Sequence, residues 1–407
     1  MTEKLALEGG RPVREHNLPY GRQNVSEEDI DAVVETLRGD WLTQGPAVER
    51  FEAELARVTG ARHVVVFSNG TAALHAASFV AGLEPGDEQV TSAVTFLADA
   101  NSAIYVGATP RLAEIDPATY NVTASTLAEA STPATKVWVP VHLCGSPCDL
   151  EPITRAARER GILLVEDACH ALGATYRGQP VGGCRGSDMA VLSFHPVKHI
   201  TTAEGGAVTT NDDELARRLK IFRCHGMERD PARFVRPERG PWIYEMQSLG
   251  FNYRLPDMNC ALGLSQMKRL PEFVARRRQI AGLYRQLLPE LEGVRLPAPD
   301  RPEEGTVGAY HLFVIRIDLT GLDATKQQLF EAMRAENIGV QVHYIPLHLQ
   351  PFYQQRYGWR DGDLPAAEAY YRECMSLPVF PAMTDDDVGD VVRALKKVLD
   401  RYRRPRV

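Results

Sequence analysis

The chain lacks long apolar runs, a paired cysteine pattern and any surplus of basic charge. No stretch approaches the ~18 apolar residues that a membrane helix needs. The opening Met1-Thr2-Glu3-Lys4-Leu5 has no apolar core of signal-peptide length. These absences lead us to expect a cytoplasmic protein with no membrane partner. Seven cysteines (144, 148, 169, 184, 224, 260 and 374) are odd in number and scattered, which suits reduced thiols better than a disulfide frame. Cys144 and Cys148 are close, but no second Cys/His pair follows at zinc-site spacing, so no metal is expected. Lys plus Arg is 46 against 53 Asp plus Glu, a formal charge of −7. The one short basic stretch, 401–406, reads as a solvated helix end, and nucleic acid is not an expected partner. No Gly-x-Gly-x-x-Gly follows a strand, and no Gly-x-x-x-x-Gly-Lys-Ser/Thr occurs. Dinucleotide and nucleoside triphosphate sites of those kinds are disfavoured. A cofactor carrying one phosphate is not.

What is present is an ordinary globular composition, 44% hydrophobic over 407 residues. That length exceeds one compact core, so two domains are expected, a large one over 1–265 and a smaller C-terminal one over 266–407. Residues 26–38 predict an amphipathic helix with Ser26 as N-cap, and a second helix covers 46–58. Val64-Val65-Val66-Phe67 is a β-branched run leading into a turn and a small-residue helix from Ala72. Further strands are expected at 89–91, 111–115, 137–141, 162–166, 189–193 and 206–209. Continuous apolar runs rather than alternating ones suit a sheet covered on both faces. Their alternation with helices predicts an α/β architecture with a largely parallel sheet. Residues 214–290 read as helical and charged, and 297–305 as a surface loop. Strands at 311–317 and 339–344 with helices at 322–335 and 384–402 make the smaller unit α+β.

Asn69-Gly70-Thr71 ends a strand and opens a helix, where backbone N–H groups and the helix dipole favour an anion; an ordinary cap reads the same way. Asp167 follows Ile162-Leu163-Leu164-Val165-Glu166, at the carboxyl end of a strand where open α/β sheets bind ligands. A carboxylate there holds a pyridine nitrogen protonated or caps the next helix. His170 can reach the same ring or be a satisfied half-buried histidine. Lys198 follows Ser193-Phe194-His195-Pro196-Val197 and precedes Thr201, Thr202, Ala203 and a glycine pair. If that setting desolvates it, its amine is neutral and nucleophilic; a surface lysine is the plain alternative. Phe96 can stack on a ring or belong to the core.

The order of these residues resembles fold-type I pyridoxal phosphate enzymes, and within them the DegT/StrS-type sugar aminotransferases. The likeness rests on Leu42-Thr43-Gln44-Gly45-Pro46, Ser68-Asn69-Gly70-Thr71-Ala72, Glu166-Asp167-Ala168-Cys169-His170 and Gly250-Phe251-Asn252-Tyr253-Arg254, and runs over nearly the whole chain. A pseudaminic-acid branch of the family is similar in the stretch from Ser193 to Lys198, in Ile200–Gly206, Phe222–Met227 and Gln341–Pro346, and in the opening Pro19–Gln23.

The resemblance implies pyridoxal 5′-phosphate as cofactor, with pyridoxamine phosphate between half-reactions. Lys198 would hold the cofactor as an imine and act as base, and Asp167 would bind the pyridine nitrogen. His170 would meet the phenolic-oxygen side, and Gly70, Thr71 and Ser193 the phosphate. Asn252 would reach the site of a second subunit, so a homodimer with shared sites is implied. Tyr20, Thr43, His343 and Tyr344 match substrate-contacting positions. The implied substrates are L-glutamate and a UDP-linked 4-keto-6-deoxy-N-acetylhexosamine aminated at C4. A dTDP- or GDP-linked keto sugar is the rival within the family. Its dehydratases tend to carry histidine where this chain has Lys198. A non-catalytic cofactor-binding regulator, the rival from another class, would be expected to have lost Lys198 or Asp167. His199 stands where relatives often carry proline.

Overall fold

The computed structural model describes residues 3–236 and 240–404. Met1 and Thr2 of the opening and Arg406 of the basic tail lie outside the described residues. Helix α1 (Glu27–Arg38) starts on a reciprocal box in which the Ser26 hydroxyl accepts the Asp29 N–H and the Asp29 carboxylate accepts the Ser26 N–H. Helix α2 (Pro46–Thr59) begins with proline and ends at Gly60, whose φ of 74° few other residues adopt without cost.

Seven strands follow: β1 (His63–Phe67), β2 (Glu88–Ser92), β3 (Thr109–Ala113), β4 (Thr135–Val139), β5 (Leu163–Asp167), β6 (Met189–Ser193) and β7 (Gly206–Thr210). They form one sheet in the order β1-β7-β6-β5-β4-β2-β3. β7 runs antiparallel to both its neighbours and the remaining pairs are parallel, so the sheet is mixed but mainly parallel. The crossovers carry α3 (Gly70–Val80), α4 (Ala98–Tyr105), α5 (Ala124–Ala130) and α6 (Leu150–Arg160). The apolar runs behave as their period dictates. Val64 and Val66 join one core with Ala190, Leu192 and Ala207, while Val65 and Phe67 join the core on the other face with Met189, Val191 and Val208.

Two strands sit two residues earlier than their sequence patterns predict. Pro140 ends β4, because it has no N–H to give the ladder. After β3, Glu114 turns away and its carboxylate accepts the N–H groups of Ala366 (2.8 Å) and Ala367 (2.9 Å).

Helix α8 (Asp257–Met267) packs on α1 and α2, in the core that holds Val64 and Val66. The second unit contains α9 (Leu270–Leu287), α10 (Lys326–Ala335), α11 (Pro351–Tyr357), α12 (Pro365–Glu373) and α13 (Asp385–Tyr402). Its small antiparallel sheet is β8 (Val294–Arg295), β9 (Phe313–Ile317) and β10 (Cys374–Leu377). The core shared by α9, α10, α13 and β9 also takes in Leu5 and Leu18 from the start of the chain.

Two expectations fail here. The segment 214–290 is not continuously helical: α7 (Asp213–Arg223) stops, and no α-helix occurs among the described residues of 224–256. Gly226, at φ 74°, lets this segment's backbone pack closely on Ser248 and Gly250. Nor is 339–344 a strand. Gly339 bonds Leu18, Gln341 makes a single bridge to Ser376, and the His343–Tyr344 peptide is cis.

No helix among the described residues is long and apolar enough to cross a membrane. No group of three or more His, Cys, Asp or Glu among them is placed to hold a metal ion.

Candidate active site

The carboxyl ends of β1, β5 and β6 meet the amino end of β7. Phe67 and Ser193, the last residues of β1 and β6, both pair with Gly206. A cleft of about 690 Å³ opens there, within the size range of cofactor and ligand sites. It gathers Gly70, Thr71, Asp167, His170, Ser193 and Lys198, with Phe96 on its wall. Tyr20, His343 and Tyr344 enter from the side of the second unit. Thr43 and Asn252 do not line this cleft; both are exposed on the surface.

The floor is a helix N-terminus. Asn69 caps α3, its side-chain oxygen accepting the Ala72 N–H at 2.8 Å. A Cβ on Gly206 would meet the Asn69 carbonyl carbon and oxygen at 2.7 Å, so only glycine lets β7 approach this turn. A Cβ on Gly70 would stand 3.2 Å from Ser193 Oγ. The two glycines and the serine thus leave a small polar cradle at the positive end of the α3 dipole, which suits one phosphate group.

Asp167 is 7% exposed, and its Oδ1 accepts the Cys169 N–H at 2.9 Å. Lys198 is half-buried, and burial pushes its amine below the usual lysine value despite nearby Cys169, Asp167 and Asp99. His170 is buried and pairs through Nε2 with the Tyr344 hydroxyl at 3.2 Å, while its Nδ1 has no partner. Burial, reinforced by Lys198, His343 and His199, holds the His170 imidazole well below its usual value, hence neutral. His343 bonds Ser376 Oγ at 2.8 Å and is pushed down to about 3 by burial and by Lys198. The Tyr20 and His343 rings lie 5.4 Å apart, and those of Phe96 and Tyr344 6.2 Å.

These residues fit pyridoxal phosphate by observation. The cleft offers a phosphate cradle, an amine that burial pushes below the usual lysine value, a carboxylate in the same cleft, and an orphaned buried imidazole nitrogen that an incoming oxygen can satisfy.

The structure also brings in residues that sequence reasoning did not single out. Asp99, on the first turn of α4, lines the cleft and is fully buried. His311, just before β9, lies against His170 with ring centres 4.4 Å apart and the planes tilted by 47°. Arg277 lies behind Lys198 without exposure. Its Nη1 donates to the carbonyls of Tyr310, His311 and Val379, and its Nη2 to those of Val197 and Lys198 at 3.3 Å. Burial lowers it to about 10. Its spacing was a usable signal, since Phe273, Ile280, Ala281 and Tyr284 on the same helix face are all buried.

Residues 23–396 match the model of the DegT/DnrJ/EryC1/StrS aminotransferase family. The chain is 40% identical to the spore coat polysaccharide biosynthesis protein SpsC of Bacillus subtilis (strain 168), covering 95% of this chain and 98% of the relative. Among solved structures it resembles Helicobacter pylori PseC, an aminotransferase involved in the biosynthesis of pseudoaminic acid. That likeness has a TM-score of 0.86 and 29% identity, over 95% of this chain and 100% of PseC. Spr1654 from Streptococcus pneumoniae, solved in its PLP form, is similar at TM-score 0.86 and 28% identity, over 95% of this chain and 99% of Spr1654.

Proposed function

The chain belongs to the DegT/DnrJ/EryC1/StrS aminotransferase family and is a pyridoxal phosphate-dependent sugar aminotransferase; from that premise we propose that it moves the amino group of L-glutamate to C4 of a UDP-linked 4-keto-6-deoxy-N-acetylhexosamine. The observation that carries the chemistry is the placement of Lys198 and Asp167 in one cleft above the capped N-terminus of α3. The likeness to PseC, with the residues shared between Ser193 and Lys198 and between Gln341 and Pro346, supports the sugar.

The roles follow from position. Gly70, Thr71 and Ser193 hold the phosphate, and Asp167 meets the ring nitrogen. His170 Nδ1, unpartnered and neutral, faces the ring's oxygen side. When bound, the cofactor would supply an electron sink for the electron pair left when the amino donor's α-carbon loses its proton. Lys198 would anchor the cofactor through Nζ; once released, the amine in its unprotonated form would take the proton from the donor's α-carbon and later return one to the sugar's C4. Arg277 Nη2 donates to the carbonyls of Val197 and Lys198, which flank the Lys198 α-carbon, so the amine's reach is set from behind. Tyr20, His343 and Tyr344 line the sugar's side of the cleft. We assign the exposed Thr43 and Asn252 to the site of a second copy, which makes the working form a homodimer.

A dTDP- or GDP-linked 4-keto sugar is the second reading. The higher identity to SpsC, named for spore coat polysaccharide biosynthesis and not for pseudaminic acid, gives a reading outside the pseudaminic-acid branch its weight. The test is 2-oxoglutarate release from glutamate with each keto sugar nucleotide in turn. Turnover with the UDP-N-acetyl sugar supports the proposal; turnover with a dTDP or GDP sugar and none with the UDP sugar overturns it.

A further inference from the structure

Asp99 is an acid that the reaction as described leaves unused. It sits in the first turn of α4, fully buried, on the wall of the cleft that holds Asp167 and Lys198. The Thr95 hydroxyl donates to its Oδ2. Its Oδ1 receives nothing, although it is sealed from water. No arginine, lysine or backbone N–H bonds this carboxyl among the described residues. A buried carboxylate without paired donors is strongly disfavoured against its neutral form.

Its neighbour makes ionisation harder still. Asp167 lies within side-chain hydrogen-bonding reach of it. Two carboxylates at that separation repel, and the arrangement settles when one proton lies between them. Lys198 draws the other way, but more weakly than burial and Asp167 push. Cys169 and Tyr353 also face the acid. Burial raises both of those groups, so both are neutral, and the Tyr353 hydroxyl already donates to Asn101 at 2.8 Å. The α4 dipole favours an anion, yet no N–H delivers that preference to either oxygen.

We propose that Asp99 is a positioning residue for Asp167: it holds a proton and donates it as a hydrogen bond to the Asp167 carboxylate. The pair then presents a single negative charge to the cofactor's ring nitrogen. The bond fixes the Asp167 rotamer against the ring nitrogen, so Asp99 sets how firmly that nitrogen is kept protonated. This rests on the reading of Asp167 as the acid that meets that nitrogen.

The test compares Asp99→Asn, Asp99→Ala and Asp167→Asn in the full chain, by two measurements. The first is pyridoxal phosphate affinity and the pH profile of the bound cofactor's visible absorbance. Asn is nearly isosteric and keeps a donor towards Asp167, so Asp99→Asn should match the wild type. Asp99→Ala should bind the cofactor about tenfold more weakly, the equivalent of one unit in the ring nitrogen's pKa, and shift the absorbance profile. The second is melting temperature against pH without cofactor, which remains informative if the alanine variant does not fold. An acid kept protonated by folding contributes stability that is lost as pH rises above the ordinary carboxylate range. Asp99→Asn should therefore gain on the wild type steadily from pH 4 upwards. A pH-independent difference, an Asn variant as impaired as the Ala variant, or an Ala variant identical to the wild type overturns the proposal. Unchanged cofactor affinity and absorbance profile in Asp167→Asn would instead overturn the underlying reading of Asp167.

Discussion

Glu166 and Asp167 are consecutive on β5, face opposite sides of the sheet and are almost equally buried, at 2% and 7% exposure. Their surroundings differ in kind. Glu166 Oε2 meets His142 Nε2 at 2.8 Å and its Oε1 takes the Ser187 hydroxyl, while His142 Nδ1 accepts the Cys148 N–H at 3.0 Å. Every polar atom in that cluster has a partner. On the Asp167 side, Asp99 Oδ1, His170 Nδ1 and His311 Nδ1 have none. Burial alone therefore does not mark a site; unfilled hydrogen-bonding capacity inside a cleft does.

The largest effect that sharpens this contrast is at Lys198. Lys198→Ala should keep the fold, since the side chain makes no hydrogen bond that a neighbour depends on, and should cut turnover by about 10³-fold or more. Steady-state rates beside an unchanged melting curve check it. Next comes the pair itself. Asp167→Asn should lower kcat by about 10²-fold with little loss of stability. Glu166→Gln should do the reverse, costing about 1–3 kcal/mol in denaturant unfolding because a satisfied buried cluster is disturbed, while kcat stays near the wild type. Equal kinetic damage from both variants would break the comparison.

The same distinction explains how much was legible beforehand. The strands around the site could be read because Val64–Phe67 and Met189–Ser193 are buried on both faces, and a continuous apolar run records that. Asp167 and Lys198 could be placed because each follows such a run. Residues 224–256 could not, because charged residues on an irregular segment look like a polar helix face, and the backbone contact of Gly226 with Gly250 is a tertiary event. Asp99 and Arg277 escaped for a related reason. Each is a charged residue on a helix whose significance comes from what lies across the fold, Asp167 for one and the Lys198 carbonyl for the other. Thr43 and Asn252 were named through family likeness alone, and within one chain neither side chain lines the cleft.

A smaller effect concerns pH. Burial lowers the Lys198 amine, and its neutral form is the one that abstracts a proton. Activity should therefore rise with pH through a midpoint below that of ordinary lysine. Rate–pH profiles at saturating and limiting glutamate check this, and a midpoint at the ordinary lysine value would remove burial as the cause.

The smallest expected effect tests whether a histidine inside the cluster can belong to the satisfied class. His199 follows Lys198 directly and is 2% exposed, yet its Nε2 already pairs with the Ala309 carbonyl at 3.1 Å. Burial, with Arg277 close by, keeps its ring well below the usual histidine value, so it carries no charge that Lys198 could sense near neutral pH. His199→Pro removes that bond and leaves the Ala309 carbonyl unpaired, a loss of about 1–3 kcal/mol. It removes no charge and no group that lines the cleft. The variant should melt slightly earlier, while kcat and the midpoint of the rising pH limb stay where they were. A displaced midpoint would place His199 among the groups that tune the lysine, and would move the boundary between the two kinds of buried polar residue one position along the chain.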